Sequence, residues 1–175
     1  MSVYIVCLSY LDIKPSLPRL RWVRYPEGMS NATPGPRAQA YLDYLAEEGY
    51  RPSFDNDGDV EFRAEGFYLC CFANEDDPHY LYVTAPHVWS LSGEPDTERE
   101  RALELAARMQ MQYKGLKVVV LSESVWISYQ GFLPDEDGFK AVMPRVIDLL
   151  LTGVRDFHRG MREEGGSDEP SGVQA

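Results

Sequence analysis

Closely spaced carboxylates are the first residues in this chain that could do chemistry. Asp55-Asn56-Asp57-Gly58-Asp59 sets three acids within five residues, which invites a calcium-loop reading. An EF-hand loop needs its glycine at position six and a bidentate Glu at position twelve. Counted from Asp55, the glycine falls at position four and position twelve is Gly66, and no helical pattern leads into the segment. It reads as a solvated hairpin turn. Glu75-Asp76-Asp77 could hold a cation weakly, but it precedes Pro78 between two strand-like runs and also reads as a turn. His79, His87 and His158 show no H-E-x-x-H or comparable spacing, so a zinc site would lack ligands. No G-x-S-x-G elbow, P-loop or G-x-G-x-x-G is present, and nothing singles out one pair among the many carboxylates. No catalytic residue, metal or cofactor is expected.

The three cysteines, Cys7, Cys70 and Cys71, form no disulfide framework. Cys70 and Cys71 are neighbours in a strand-like run, so alternation sends them to opposite faces as small buried hydrophobes. That usage suits a reducing cytoplasm, and no apolar run approaches the length of a membrane span.

The elements that must carry these residues centre on 49–89, where nine of 41 residues are aromatic, about twice the chain average of 12%. Aromatic and β-branched runs broken by Asp57-Gly58, Glu65-Gly66 and Asp76-Asp77-Pro78 predict consecutive antiparallel strands. These are a short strand at 51–54, an alternating strand Val60–Ala64, and two runs apolar on both faces, Phe67–Ala73 and Tyr80–Ala85. Pro86 is expected to end pairing, because it has no N–H to donate.

Three helices flank this set. The first starts near Pro36 or Arg37, follows an apolar stripe of Ala38, Tyr41, Leu42 and Leu45, and ends at Gly49. The second opens on a Thr97-x-x-Glu100 capping box, runs on Ala102, Leu105, Ala106, Met109 and Tyr113, and stops at Gly115. It carries a second stripe, Leu103, Ala107 and Met111, and a helix apolar on two sides usually touches two things. A hairpin of Lys117–Leu121 and Val125–Tyr129 follows. The third helix spans Asp135 to Met161, buries Phe139, Met143, Val146, Leu150, Val154 and Phe157, and turns Pro144 to its polar side.

The ends differ in composition. Residues 1–36 are expected to be a leader, non-native or disordered, with translation beginning at Met29; the alternatives are a mobile arm or an edge strand from Val3 to Leu11. Residues 37–161 form the domain, and 162–175 an acidic, disordered tail. With 17 basic against 28 acidic residues the net charge is −11, whereas residues 1–28 carry +2. DNA or RNA is not expected as a direct partner, since phosphate neutralisation needs a basic stripe. The charge keeps the chain soluble and steers it toward basic partners.

The order α-β-β-β-β-α-β-β-α defines an α+β fold on an antiparallel sheet. Together with Gly49-Tyr50 after the first helix, Asp57-Gly58-Asp59-Val60-Glu61-Phe62, Asp77-Pro78-His79-Tyr80-Leu81 and Lys117-Val118-Val119, it resembles the YbjN family of small bacterial proteins over roughly residues 41–161. That resemblance implies a fold like that of class I type III secretion chaperones. It also implies a non-enzymatic, homodimeric domain that binds another protein; the family is described as sensory-transduction regulators. The function expected is therefore a protein-binding, regulatory or chaperone-like module acting on a protein client, for which a basic nucleic-acid-binding protein is one candidate. Leu103, Ala107 and Met111 are the expected dimer or partner face. The alternative is a small-molecule-binding domain or enzyme with a pocket on the aromatic sheet.

Overall fold

The computed structural model describes residues 33–165. The readings made for residues 1–32 (the start at Met29, the edge strand Val3–Leu11) and for 166–175 lie outside the described residues. Three helices, α1 (Pro36–Glu47), α2 (Asp96–Gln112) and α3 (Phe139–Gly165), accompany six strands. The strands are β1 (Ser53–Phe54), β2 (Val60–Ala64), β3 (Phe67–Phe72), β4 (Tyr80–Ser90), β5 (Leu116–Val120) and β6 (Ser124–Phe132). Class and element order are those read from the sequence. The strands form one antiparallel sheet in the order β1-β2-β3-β4-β6-β5. Because β6 lies between β4 and β5, those two run parallel, and α2 is the crossover that a parallel connection needs.

Local chemistry sets the turns. Glu65 and Gly66 both have positive φ, 49° and 86°, the signature of a type I′ hairpin between β2 and β3. Alternation along β2 buries Val60, Phe62 and Ala64 and leaves Arg63 exposed. Across the sheet, Val60, Phe62, Leu69, Cys71, Leu81, Val83, Val118 and Ile127 share one face, and all three helices pack into the same core there. The buried α3 residues include all six expected from periodicity. Each large one, such as Leu150 or Phe157, contributes about 2 kcal/mol by leaving water. The opposite face carries the half-buried Tyr68, Phe72, Tyr80, Tyr82 and Trp126.

Pro144 does sit on the exposed side of α3, as expected. Lacking an N–H, it cannot donate to the Lys140 carbonyl one turn back. The Tyr44 hydroxyl of α1 donates to that carbonyl instead, at 3.2 Å.

Four expectations are corrected. Strand β4 does not end at Pro86. Pairing with β6 lapses after Ala85 and resumes at Trp89 opposite Val125, with His87 at φ 52° between them. A bulge removes the need for the missing proline donor. Second, Thr97 caps nothing: α2 begins at Asp96 after Pro95, with no side-chain cap bond, and Thr97 lies within the first turn. Asp96 and Glu98 supply negative charge to the helix N-terminus instead. Third, α3 starts at Phe139 rather than Asp135, because Asp135–Gly138 forms a turn closed by Gly138 N–H to the Asp135 carbonyl. Finally, α3 continues past Met161 through Gly165, so the first tail residues are helical.

Candidate functional site

The stripe Leu103, Ala107 and Met111 lies on the side of α2 opposite its buried residues Ala102, Leu105, Ala106 and Met109. All three are exposed, Leu103 by 44% and Met111 by 89%. Leucine and methionine at such exposure on a helix whose other side is well packed form an apolar strip with no partner among the described residues. Glu100 and Lys114 are exposed at the two ends of the strip.

A second candidate is an open cleft of about 460 Å³ where β1 meets β2. Its apolar wall is the Tyr50 and Phe62 ring pair, edge to face at 5.2 Å. Glu61 projects into it, accepting from the Tyr68 hydroxyl at 2.6 Å and from the Ser53 hydroxyl at 3.0 Å. Burial, and then the bond to Glu61, push the Tyr68 hydroxyl well above its ordinary pKa. Arg51 and Arg63 complete the lining, and neither has a carboxylate partner among the described residues.

The acidic runs build structure. The Asp55 carboxylate accepts the N–H groups of Asp57 and Asp59, each at 2.9 Å, and Asp59 accepts the Ala73 N–H at 2.7 Å. The Cys70 sulfur lies within 4.8 Å of both acids. Burial and the Asp59 charge push its thiol far up, so it stays protonated and suits these acceptors as a weak donor. Turn-stitching carboxylates with backbone donors already in place account for this cluster without an ion. Cys71 faces the core, fully buried, which confirms the alternation.

Glu75 has a role that the sequence reading missed. The N-cap residue of α1 is Gly35, which has no side chain to offer. The Glu75 carboxylate reaches from the β3–β4 turn and accepts the Arg37 N–H at 3.0 and 3.2 Å. Its partner Arg37 is buried, donates Nε to the Tyr41 hydroxyl at 3.0 Å, and lies over the rings of Tyr41 and Phe139. One guanidinium nitrogen also donates to the Glu136 carbonyl. Arg37 thereby draws together two acidic runs distant in sequence, 75–77 and 135–137. A buried basic residue bonding across two turns has no period, and so left no sequence signal.

The histidines are separate. His79 and His87 are exposed, and the His87 ring lies against Trp126. His158 sits between Phe67 and Trp89 and donates Nε2–H to the Val88 carbonyl at 2.7 Å, since a carbonyl can only accept. Close by, Trp89 Nε1–H donates to Glu98 at 3.0 Å, and Glu98 pairs with Arg101 at 2.7 Å. This network ties β4, α2 and α3 together.

With this geometry in hand, comparison with known proteins adds the fold alone. Neither a family model nor a curated protein sequence matches the chain. Among solved structures, an uncharacterized protein from Methanothermobacter thermautotrophicus is similar, with a TM-score of 0.52 and 16% identity. The match covers 74% of this chain and 99% of that one. The chain is thus an α+β protein with a solved structural neighbour of the same kind. No helix among the described residues is long and apolar enough to cross a membrane.

Proposed function

We propose that this chain is a YbjN-like, non-enzymatic protein-binding and regulatory module of the cytoplasm, working as a homodimer on a protein client. The observation that carries this reading is the exposed Leu103–Ala107–Met111 strip on a helix already packed on its other side. The strip is self-complementary. In an antiparallel pairing about a two-fold axis at Ala107, Leu103 meets Met111 of the second copy, and Glu100 meets Lys114. A small residue at the axis allows close approach, and the contact is isologous, as a two-fold dimer requires. Formation of the dimer would leave the acidic end of the fold free. There Asp76, Asp135 and Glu136 are exposed around Arg37, which favours a basic client.

Affinity purification of the tagged full chain from its native source, with identification of bound proteins, tests the client. Salt-sensitive co-purification of a basic protein, lost on Asp76→Asn with Glu136→Gln, is the expected result. Recovery of no protein, or of one indifferent to both changes, would remove the basic-client reading.

A further inference from the structure

Arg51 and Arg63 open on one cleft because the sheet comes apart between them. Ser53 faces Glu61 in the β1–β2 register, so after Pro52 opposite Phe62 the next pair on the same face would be Arg51 and Arg63. Pairing stops short of them. Like charges directly opposite each other repel, which disfavours continuing the ladder to that pair. The chain entering β1 therefore splays from β2 and leaves a wedge, closed at the back by Tyr50 and Phe62. Ala64 and Phe67 close the β2–β3 hairpin, so hydrogen-bonding parity turns the Arg63 peptide groups away from β3. They point along the line of β1, which never reaches them.

Arg51, Arg63 and an outward N–H thus line the wedge in a chain whose net charge is −11, with one nitrogen of the Arg63 guanidinium donating to the Gly66 carbonyl at 3.3 Å. Among the described residues the only carboxylate in the lining, Glu61, is engaged by the Tyr68 and Ser53 hydroxyls and makes no ion pair with either arginine. We propose that this cleft binds an oxyanion, the carboxylate or phosphate group of a small ligand, between Arg51 and Arg63, with the ligand body against Tyr50 and Phe62. Guanidinium groups match both oxyanions with paired, charge-assisted hydrogen bonds. The site is independent of the α2 dimer.

Titration of the full chain with inorganic phosphate, and separately with succinate, tests this at constant ionic strength held by chloride, followed by amide NMR shifts. Saturable shifts at residues 50–53 and 61–63 are expected, weakened about tenfold by Arg51→Gln or Arg63→Gln, the loss expected for one charged hydrogen bond. Tighter binding of phosphate than succinate assigns a phosphate ligand, and the reverse order a carboxylate. Shifts that chloride reproduces, or that survive both substitutions together, would overturn the site. Leu103→Glu should leave binding unchanged, so that failure of the dimer and failure of the cleft give different results.

Discussion

The Glu75 carboxylate occupies the space into which a side chain at Gly35 would project. Gly35 is the N-cap of α1 and offers no acceptor, and the carboxylate that satisfies the first N–H groups comes from the turn after β3. Helix and turn are therefore fitted to each other. A larger residue at 35 must expel the group that caps the helix.

A double-mutant cycle checks this dependence. Glu75→Ala should destabilise the fold by about 1 kcal/mol, the usual loss of a cap. Gly35→Ala should cost a similar amount by displacing Glu75. The double variant should be little worse than either single one, because both remove the same interaction. Additive losses in chemical denaturation would contradict the relationship.

At Gly160 the α3 backbone lies against Leu105 of α2. A Cβ there would lie 2.8 Å from Leu105 Cδ2. Gly160→Ala should therefore destabilise by about 1–3 kcal/mol through overpacking, despite better helix propensity. Adding Leu105→Ala should recover less stability than the crowding removes, but should make the two changes clearly non-additive in thermal unfolding.

Stability should fall in alkali. Burial pushes the Tyr41 hydroxyl from 10.0 up to about 12, against the opposing effect of Arg37. The folded form thus holds a proton that the unfolded form releases. Its contribution is whole below pH 10 and is lost between about 10 and 12, at roughly 1.4 kcal/mol per pH unit. Tyr44, Tyr68, Tyr80 and Tyr113 are shifted in the same direction and steepen the loss. Tyrosinate absorbance followed against pH should lag behind free tyrosine until the protein unfolds, and Tyr41→Phe should reduce the slope.

Cys70 and Cys71 should be inert in the native protein. Burial pushes both thiols far up, leaving almost no thiolate at neutral pH. In a Cys7→Ser variant, Ellman's reagent should find two thiols only after denaturant is added. Rapid labelling of either thiol in the folded protein would show that the strand around them opens.

Much of this fold is written as periodicity, and periodicity is what a single sequence displays. The period-two pattern of Val60–Ala64 and the helical spacing from Phe139 to Phe157 each arise from one buried face, and the structure buries those residues. The terminus signals were less secure, since Thr97-x-x-Glu100 competes with Asp96 and Glu98 for the same helix end. Contacts made across long separations left no trace. Glu75 serves a helix almost forty residues earlier, and Arg51 and Arg63 line one cleft only because the β1–β2 register stops before it reaches them. Of the candidate sites, the α2 strip was legible as a second stripe, whereas the cleft arises where pairing fails and has no motif.

The proposal that the α2 strip joins two copies is tested most directly by light scattering on the purified full chain, wild type beside Leu103→Glu with Met111→Glu. The wild type should show twice the mass of one chain, and the double variant, still folded by circular dichroism, the mass of one. A wild-type monomer, or a dimer untouched by both substitutions, would contradict it.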